Sequence, residues 1–465
     1  MSKINSVIFR SYDIRGLVEQ DLTSETVELI GRGFGTYIQK VSGREVVVGG
    51  DNRSSTETFR QALIKGLLAT GCQVTDIGVS MTPMLWFANF FYRFSGGIQI
   101  TGSHNPIEFN GFKLVKSGID ALAGEEIQEI KKIIEQTDFI LRQGQMVKKE
   151  IFSDYLEEIK KRIKLARPIK AVVDCGNGTG SFFIPKILQA LGLELTELYC
   201  QSDPTFPNHL PDPEDAKNMT DLIRLVKEKK AEIGLAFDGD CDRIGIVDEK
   251  GKRYEADELM LILARDLLSR KPGAKIVVDV KYSQLVIDKI KSAGGEVVIW
   301  KTGYPNIKSK MTEVGSLLAG EVSGHMFLKE NYFGYDDATF AALKILEIFS
   351  KTKELFSTLL SDLPKIYSTP ELKLPCADER KFVIVSEIIN YFKDKYQSIL
   401  VDGIRLMLKP DAWALIRCSN TNPYLTVRFE ARNKSDFNLV KGVVANKLRE
   451  YPEIDLRELI KLSIR

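Results

Sequence analysis

Cysteine is sparse and dispersed in this chain. The six residues, Cys72, Cys175, Cys200, Cys241, Cys376 and Cys418, are scattered over 465 positions with no CxxC spacing. That pattern argues against a zinc ribbon or a disulfide scaffold. Excess charge of one sign is also missing: 65 lysines and arginines face 63 acidic residues, a formal net charge of +2. No global field therefore draws the chain to nucleic acid or to an anionic membrane surface. No apolar run reaches the length of a membrane-spanning helix. The stretch from Met1 to Phe9 is short and polar, without the apolar segment of a secretory signal, so the cytoplasm is the expected compartment. Histidine occurs three times, as His104, His209 and His325, each in a polar loop marked by glycine or proline. The remainder, 44% hydrophobic and 28% charged, is the composition of an ordinary globular protein.

At about 150 residues per domain the length predicts roughly three domains, but the pattern of elements counts four. From Arg44 to Thr101, strands at Glu45 to Gly49, Gln73 to Ile77 and Gly97 to Thr101 alternate with a helix at Glu57 to Leu68, the signature of βαβ units on a mainly parallel sheet. A helix at Ile151 to Leu165 opens a second block. It continues as a strand at Ile169 to Val173, a Gly176 to Gly180 turn and a helix at Ser181 to Leu191. A third series from Asp257 holds strands at Lys275 to Asp279 and Glu296 to Trp300 around a helix at Leu285 to Ala293. Beyond Pro370 come a helix at Phe382 to Phe392 and short strands at Ile399 to Val401, Ile404 to Leu408, Ala412 to Arg417 and Leu425 to Glu430, which read as antiparallel. The expected fold is α/β, with three similar mixed-sheet domains at 1–150, 151–253 and 254–368 and a C-terminal α+β domain at 369–465.

Four loops carry chemistry. Thr101-Gly102-Ser103-His104-Asn105-Pro106 follows an apolar strand, and ligands of open α/β sheets collect at such carboxyl ends. A serine there is a weak nucleophile until a base or cation assists it; His104 is adjacent and Lys113 lies ten residues on. Asp238-Gly239-Asp240-Cys241-Asp242-Arg243 sits between two apolar strands. Three carboxylates about 4 Å apart at an effective dielectric near 20 repel by roughly 4 kcal/mol per pair, which a bound cation offsets. All-oxygen ligation suits Mg²⁺. An EF-hand would use Asp238, Asp240, Asp242 and Glu249 but demands glycine where Arg243 stands, and its flanks would be helices; a plain acidic turn is the other alternative. Gly320-Glu321-Val322-Ser323-Gly324-His325 offers partners for adjacent sugar hydroxyls. Arg417-Cys418-Ser419-Asn420-Thr421-Asn422-Pro423 holds the donors that bind a phosphate dianion. Read singly, the serine, sugar and phosphate loops are also compatible with ordinary turns. The glycines at 176, 178 and 180 fail the dinucleotide fingerprint, because Ser181 stands where glycine is required.

Together these loops resemble the α-D-phosphohexomutases, most closely the bacterial-type phosphomannomutase/phosphoglucomutase branch. The likeness runs from Phe9-Arg10-Ser11-Tyr12-Asp13-Ile14-Arg15-Gly16 to Arg428-Phe429-Glu430 and includes Gly50-Asp51-Asn52-Arg53-Ser54-Ser55, Asn110-Gly111-Phe112-Lys113 and Phe206-Pro207-Asn208-His209. The resemblance implies four domains around a central cleft, with Ser103 carrying a phosphoryl group and, with Asp238, Asp240 and Asp242, holding one Mg²⁺. It implies sugar contacts from Glu321 and Ser323 and a phosphate clamp of Arg417, Ser419, Asn420 and Thr421. Lys113, His325, Arg15 and Arg243 are similar to groups that move protons and neutralise charge, with His104 supporting the serine and Tyr12, Lys281 and Tyr304 at the substrate.

The implied activity is interconversion of hexose 1-phosphate and hexose 6-phosphate, of mannose or glucose, through a phosphoserine and a hexose 1,6-bisphosphate that is both intermediate and activator. The implied partners are small sugar phosphates, with no nucleic acid or membrane, on a monomer or homodimer. The bisphosphate must turn over between half-reactions, and rotation of the last domain about a hinge at Tyr367 to Pro370 is expected to give it room. Two departures stand out, Cys241 where relatives often have glycine and Tyr304 where dual-sugar relatives tend to have histidine; Val322, where the phosphoglucosamine mutase branch usually has glutamine, argues against that branch. Phosphoglucosamine mutase, phosphopentomutase and glucose-1,6-bisphosphate synthase share these loops. A catalytically silent sugar-phosphate-binding regulatory protein is the reading of another class.

Overall fold

The computed structural model describes residues 4–419 and 423–461. Four sheets follow one another along the chain. The first has six strands in the order Ile14–Leu17, Phe109–Lys116, Gly96–Ile100, Glu45–Gly50, Gln73–Val79 and Gln145–Lys148. Its centre is parallel, and Phe109–Lys116 runs antiparallel to both neighbours. Side chains alternate across the sheet. Val46 and Val48 join the core under helices Ser24–Val41, Thr56–Ala69 and Glu125–Gln136, whereas Val47 faces the opposite core with Met84 and Leu85 of helix Thr82–Phe91.

The second sheet is ordered Arg253–Tyr254, Ile244–Asp248, Ile233–Phe237, Lys170–Asp174 and Glu194–Leu198. The third is ordered Glu296–Trp300, Lys275–Asp279, Leu318–Gly320 and Met326–Leu328. The second ends in two antiparallel steps and the third in one, each turning the chain back at a loop. Every pairing of the last sheet is antiparallel, and helices Asp378–Phe392 and Lys434–Leu448 contribute to its own core. The second and third units share one continuous core with helix Thr82–Phe91 of the first. The fourth core is separate and meets the third unit through a small apolar cluster, Val280, Trp413 and Leu415.

Three expectations need correction. The helix read over Ser181 to Leu191 is a 3₁₀ turn at Thr179–Phe182 followed by a short helix Ile184–Ala190, because Pro185 lacks an N–H and so sits in the first turn of a helix instead of in the interior of one. The strand placed at Ile399 to Val401 lies at Gln397–Ile399. The hinge placed at Tyr367 to Pro370 begins inside a ladder, since Tyr367 and Ser368 pair with Ala431 and Glu430. Among the described residues no helix is long and apolar enough to cross a membrane.

Candidate functional site

The fully buried strand Gly96–Ile100 delivers the serine loop to the centre of the molecule. Arg53, itself buried, shapes that loop by donating to four of its backbone carbonyls: Ser103 at 2.9 Å, Asn105 at 2.5 Å, Pro106 at 2.7 Å and Phe109 at 2.9 Å. Asp51 pairs with Arg53 at 3.4 Å and accepts from the Gly102 amide at 3.0 Å. Ser103 takes a left-handed φ of 49°, and Thr101 Oγ1 accepts from its amide. In that posture the Ser103 hydroxyl donates to Asp238 Oδ2 at 3.0 Å and lies 3.2 Å from His104 Nδ1.

The three aspartates sit fully buried beneath the serine, with one carboxylate oxygen from each within 4.8 Å of the others. The loop reverses at Cys241, whose φ of 63° lies in the left-handed region that favours glycine. Asp238 Oδ1 accepts the amides of Asp242 and Arg243 at 3.0 and 3.2 Å. Asp240 Oδ2 is held by the Thr82 hydroxyl and by Lys113 Nζ, which also reaches Asp242. The other oxygens, Asp240 Oδ1 and Asp242 Oδ1, are buried with no hydrogen-bond partner. Burial and the two neighbouring carboxylates push Asp238 well above the usual carboxylate range. Burial acts the same way on Asp240, but Lys113 overrides it and holds the group low. Lys113 is driven up in turn, the attraction of Asp240 and Asp242 exceeding the cost of burial. Three converging carboxylates with two bare oxygens fit a hard divalent cation.

Above the aspartates lies a cleft of about 730 Å³, lined from all four units. It collects Tyr12, Arg15, Ser103, His104, Lys113, Arg243, Lys281, Tyr304, Glu321, Ser323, His325, Arg417 and Ser419. Asn420 and Thr421 lie outside the described residues. Arg15 pairs with Asp13 at 2.8 Å and donates to Asn105 Oδ1 at 2.9 Å. Arg243 Nε donates to His325 Nε2 at 3.1 Å. An arginine nitrogen only donates, so His325 carries its proton on Nδ1, 3.0 Å from Asp336 Oδ2. Burial lowers His325, but Asp242 and Asp336 outweigh it and hold the imidazole above its ordinary value. His104 is the opposite case: burial, then Arg243 and Arg15, drives it well below, which keeps it neutral.

Glu321 Oε1 is fixed by the Gly303 amide at 2.6 Å. The Tyr304 ring stacks on His325 at 5.9 Å and meets Tyr12 edge-on at 5.7 Å. Burial, then Asp13, pushes the Tyr12 phenol up to about 12.

Sequence reading missed the groups that hold these side chains. Glu371 binds Lys281 at 2.7 Å, Asp402 binds Arg417 at 2.9 Å, and Trp86 donates to Asp336 Oδ1 at 3.0 Å. Only Asp336-Asp337, an acidic doublet ahead of an apolar helix, left a trace that could have been read.

Four family descriptions match the chain in order: phosphoglucomutase/phosphomannomutase alpha/beta/alpha domains I, II and III at residues 6–141, 153–251 and 255–367, and the C-terminal domain at 371–447. A Pseudomonas putida protein named phosphomannomutase/phosphoglucomutase is 43% identical over 452 residues, with 97% of each chain covered. A Neisseria meningitidis phosphoglucomutase is 40% identical over 459 residues, 98% of this chain and 99% of its own. The crystal structure of a phosphoglucomutase/phosphomannomutase family protein from Burkholderia thailandensis superposes with a TM-score of 0.91 at 36% identity, covering 96% of this chain and 98% of that one.

Proposed function

The chain belongs to the phosphoglucomutase/phosphomannomutase family and is a hexose-phosphate mutase, and from that premise we propose that Ser103 is its phosphoryl carrier and that mannose and glucose phosphates are its substrates. The observation that carries this reading is the Ser103 hydroxyl, 3.0 Å from Asp238, in a carboxylate cluster with two bare oxygens under a cleft wide enough for a hexose bisphosphate. Asp238, Asp240, Asp242 and phosphorylated Ser103 hold one Mg²⁺, which supplies charge compensation for a phosphoryl group of about −1.5 to −2 charge.

Each residue then has a task. Neutral His104 supports the serine oxygen, and Lys113 adds the positive charge nearest the transferred group. Glu321 and Ser323 orient the sugar through its hydroxyls, with Tyr12 and Tyr304 as the wall against which the ring rests. Lys281, Arg417, Ser419, Asn420 and Thr421 clamp the phosphate that does not react. Holding either phosphate in one remote clamp makes the two half-reactions geometrically alike. His325, Arg243 and Arg15 complete the reacting end. In the present arrangement His325 Nε2 accepts from Arg243, so it takes a proton from a sugar hydroxyl only once Arg243 swings to the incoming phosphate. A hexose 1,6-bisphosphate is the intermediate and, added in trace, the activator. Domain limits of 1–150, 151–253, 254–368 and 369–465 allot one loop to each domain.

A coupled assay tests the reading: purified protein with Mg²⁺, trace glucose 1,6-bisphosphate and, in parallel, mannose, glucose and glucosamine 1-phosphates. Turnover of the first two is expected, together with an intact-mass gain of one phosphate that Ser103→Ala abolishes. Turnover of glucosamine 1-phosphate alone would move the protein to the amino-sugar branch. A chain that never carries phosphate would refute the phosphoserine role.

A further inference from the structure

Two thiols that do not line the cleft lie closer together than any others described. Cys175 directly follows strand Lys170–Asp174, and Cys200 lies two residues beyond the neighbouring parallel strand Glu194–Leu198. Their sulfurs are 3.3 Å apart. Cys175 is buried and Cys200 half-buried, so Cys200 is the more accessible residue of the two. The backbone already holds the two segments in register: the Cys175 amide donates to Leu198 O at 3.3 Å and the Asn177 amide to Tyr199 O at 2.8 Å. A disulfide needs its sulfurs at about 2.05 Å, closer than the 3.3 Å at which they stand, so closing the bond draws the Cys200 segment toward Cys175.

We propose that Cys175 and Cys200 form a reversible disulfide on exposure to a peroxide, and that this bond is coupled to the seam between the first two units. The chemistry balances. The Cys200 sulfur attacks one peroxide oxygen and becomes a sulfenic acid as the first water leaves. The Cys175 sulfur then displaces the second water to close the bond. Two thiols lose two electrons and two protons, and one hydrogen peroxide becomes two waters.

The coupling follows from what the two cysteines carry. Beyond Cys200, Gln201 O accepts from Asn177 Nδ2 at 2.7 Å and Ser202 Oγ accepts from Asn52 Nδ2 at 2.9 Å. Beyond Cys175, Asn177 O also accepts from Asn52 Nδ2, at 2.8 Å, and Thr179 Oγ1 accepts from the Asn52 amide at 3.1 Å. Asn52 belongs to the first unit, so both cysteine segments grip one of its residues. Thr179 N in turn donates to Gly239 O at 3.0 Å, between Asp238 and Asp240. Drawing Cys200 toward Cys175 displaces the Gln201–Ser202 side of this clasp and loosens the support behind the aspartate loop.

The test treats the full-length enzyme with hydrogen peroxide and follows intact mass, peptide maps and mutase activity. The expected result is loss of the mass of two hydrogens, one cross-linked peptide joining Cys175 to Cys200, and a several-fold fall in activity that a dithiol reductant reverses. Cys200→Ser, a half-buried change outside the cleft, is expected to keep basal activity and to resist both effects. Oxygen addition without loss of hydrogen, or a cross-link that uses Cys241, would overturn the pairing. An equal activity loss in wild type and Cys200→Ser would overturn the coupling.

Discussion

Arg53 shows how much of the serine loop rests on one side chain. It offers a rigid planar fork of donors, and four carbonyls of the loop use it. Lysine would carry the charge but not the fork. Arg53→Lys is therefore expected to leave carbonyls unpaired at a cost of about 2–3 kcal/mol in urea unfolding, with activity falling further than stability because Ser103 loses its posture. Gly102→Ala offers a second route to the same defect, since a Cβ there would lie 2.3 Å from Arg53 Nε; a variant with normal stability and activity would refute the account. His209 carries the pH dependence of the Asn177 region. Burial lowers its pKa, but the hydrogen bond to Asp174 at 3.1 Å outweighs this and raises it above 6.5. A histidine raised on folding lends stability that is fully present below its unfolded value and is lost as pH rises through the folded one. Unfolding free energy is thus expected to decline from about pH 6.5 upward, and His209→Gln to flatten that decline. Parallel curves for the two proteins would remove His209 as the cause.

Between elements, glycine decides what approaches what. Helices Ser24–Val41 and Thr56–Ala69 cross so closely that a Cβ on Gly66 would lie 2.1 Å from Glu28 O, and one on Gly31 2.4 Å from Leu63 O. Gly66→Ala must push the helices apart, at an expected cost of about 1–3 kcal/mol. Gly442, exposed in helix Lys434–Leu448 with no neighbour within 4 Å, should respond oppositely, with Ala adding up to about 1 kcal/mol through helix propensity. Paired urea titrations check both signs. Neither crossing was readable beforehand, because a helix pattern marks an apolar face and not how near the next helix comes. Strands such as Lys275–Asp279 and Glu296–Trp300 were legible to the residue, being short β-branched runs between breakers. The loops after Ile100 and Phe237 were legible because their chemistry is contiguous in sequence. Glu371, Asp402 and Trp86 were not, since each meets its partner across a domain seam or a turn and leaves no local pattern. The break at Phe183 was available in Pro185 but outweighed by the apolar period around it.

For the whole molecule, the division of the core sets which part moves. The second and third units share one apolar core with a helix of the first, so rotation between them would expose it. The fourth has its own core and meets the third through one small apolar cluster, Val280, Trp413 and Leu415, and through polar contacts: Arg405 donates to Val280 O and Tyr282 O at 2.9 and 2.7 Å, Arg428 to Lys281 O at 2.8 Å, and Ser283 to Glu430 at 3.0 Å. Interfaces of this polar kind between domains permit relative motion. If the fourth unit rotates, the ladder at Tyr367 and Ser368 goes with it, and the bend is expected in the irregular stretch 363–366 just before it. A sugar bisphosphate bridging Arg417 and Ser103 would draw the fourth unit inward, and reorientation of that sugar needs the reverse movement. Small-angle scattering is expected to show a smaller radius of gyration with glucose 1,6-bisphosphate than without it. Lys365→Pro with Ile366→Pro, beside the native Pro364, should slow turnover while leaving single phosphoryl transfer to Ser103 near its normal rate. Superimposable scattering profiles with and without the bisphosphate would mean that the sugar turns inside a rigid cleft, and the hinge would have no part in the reaction.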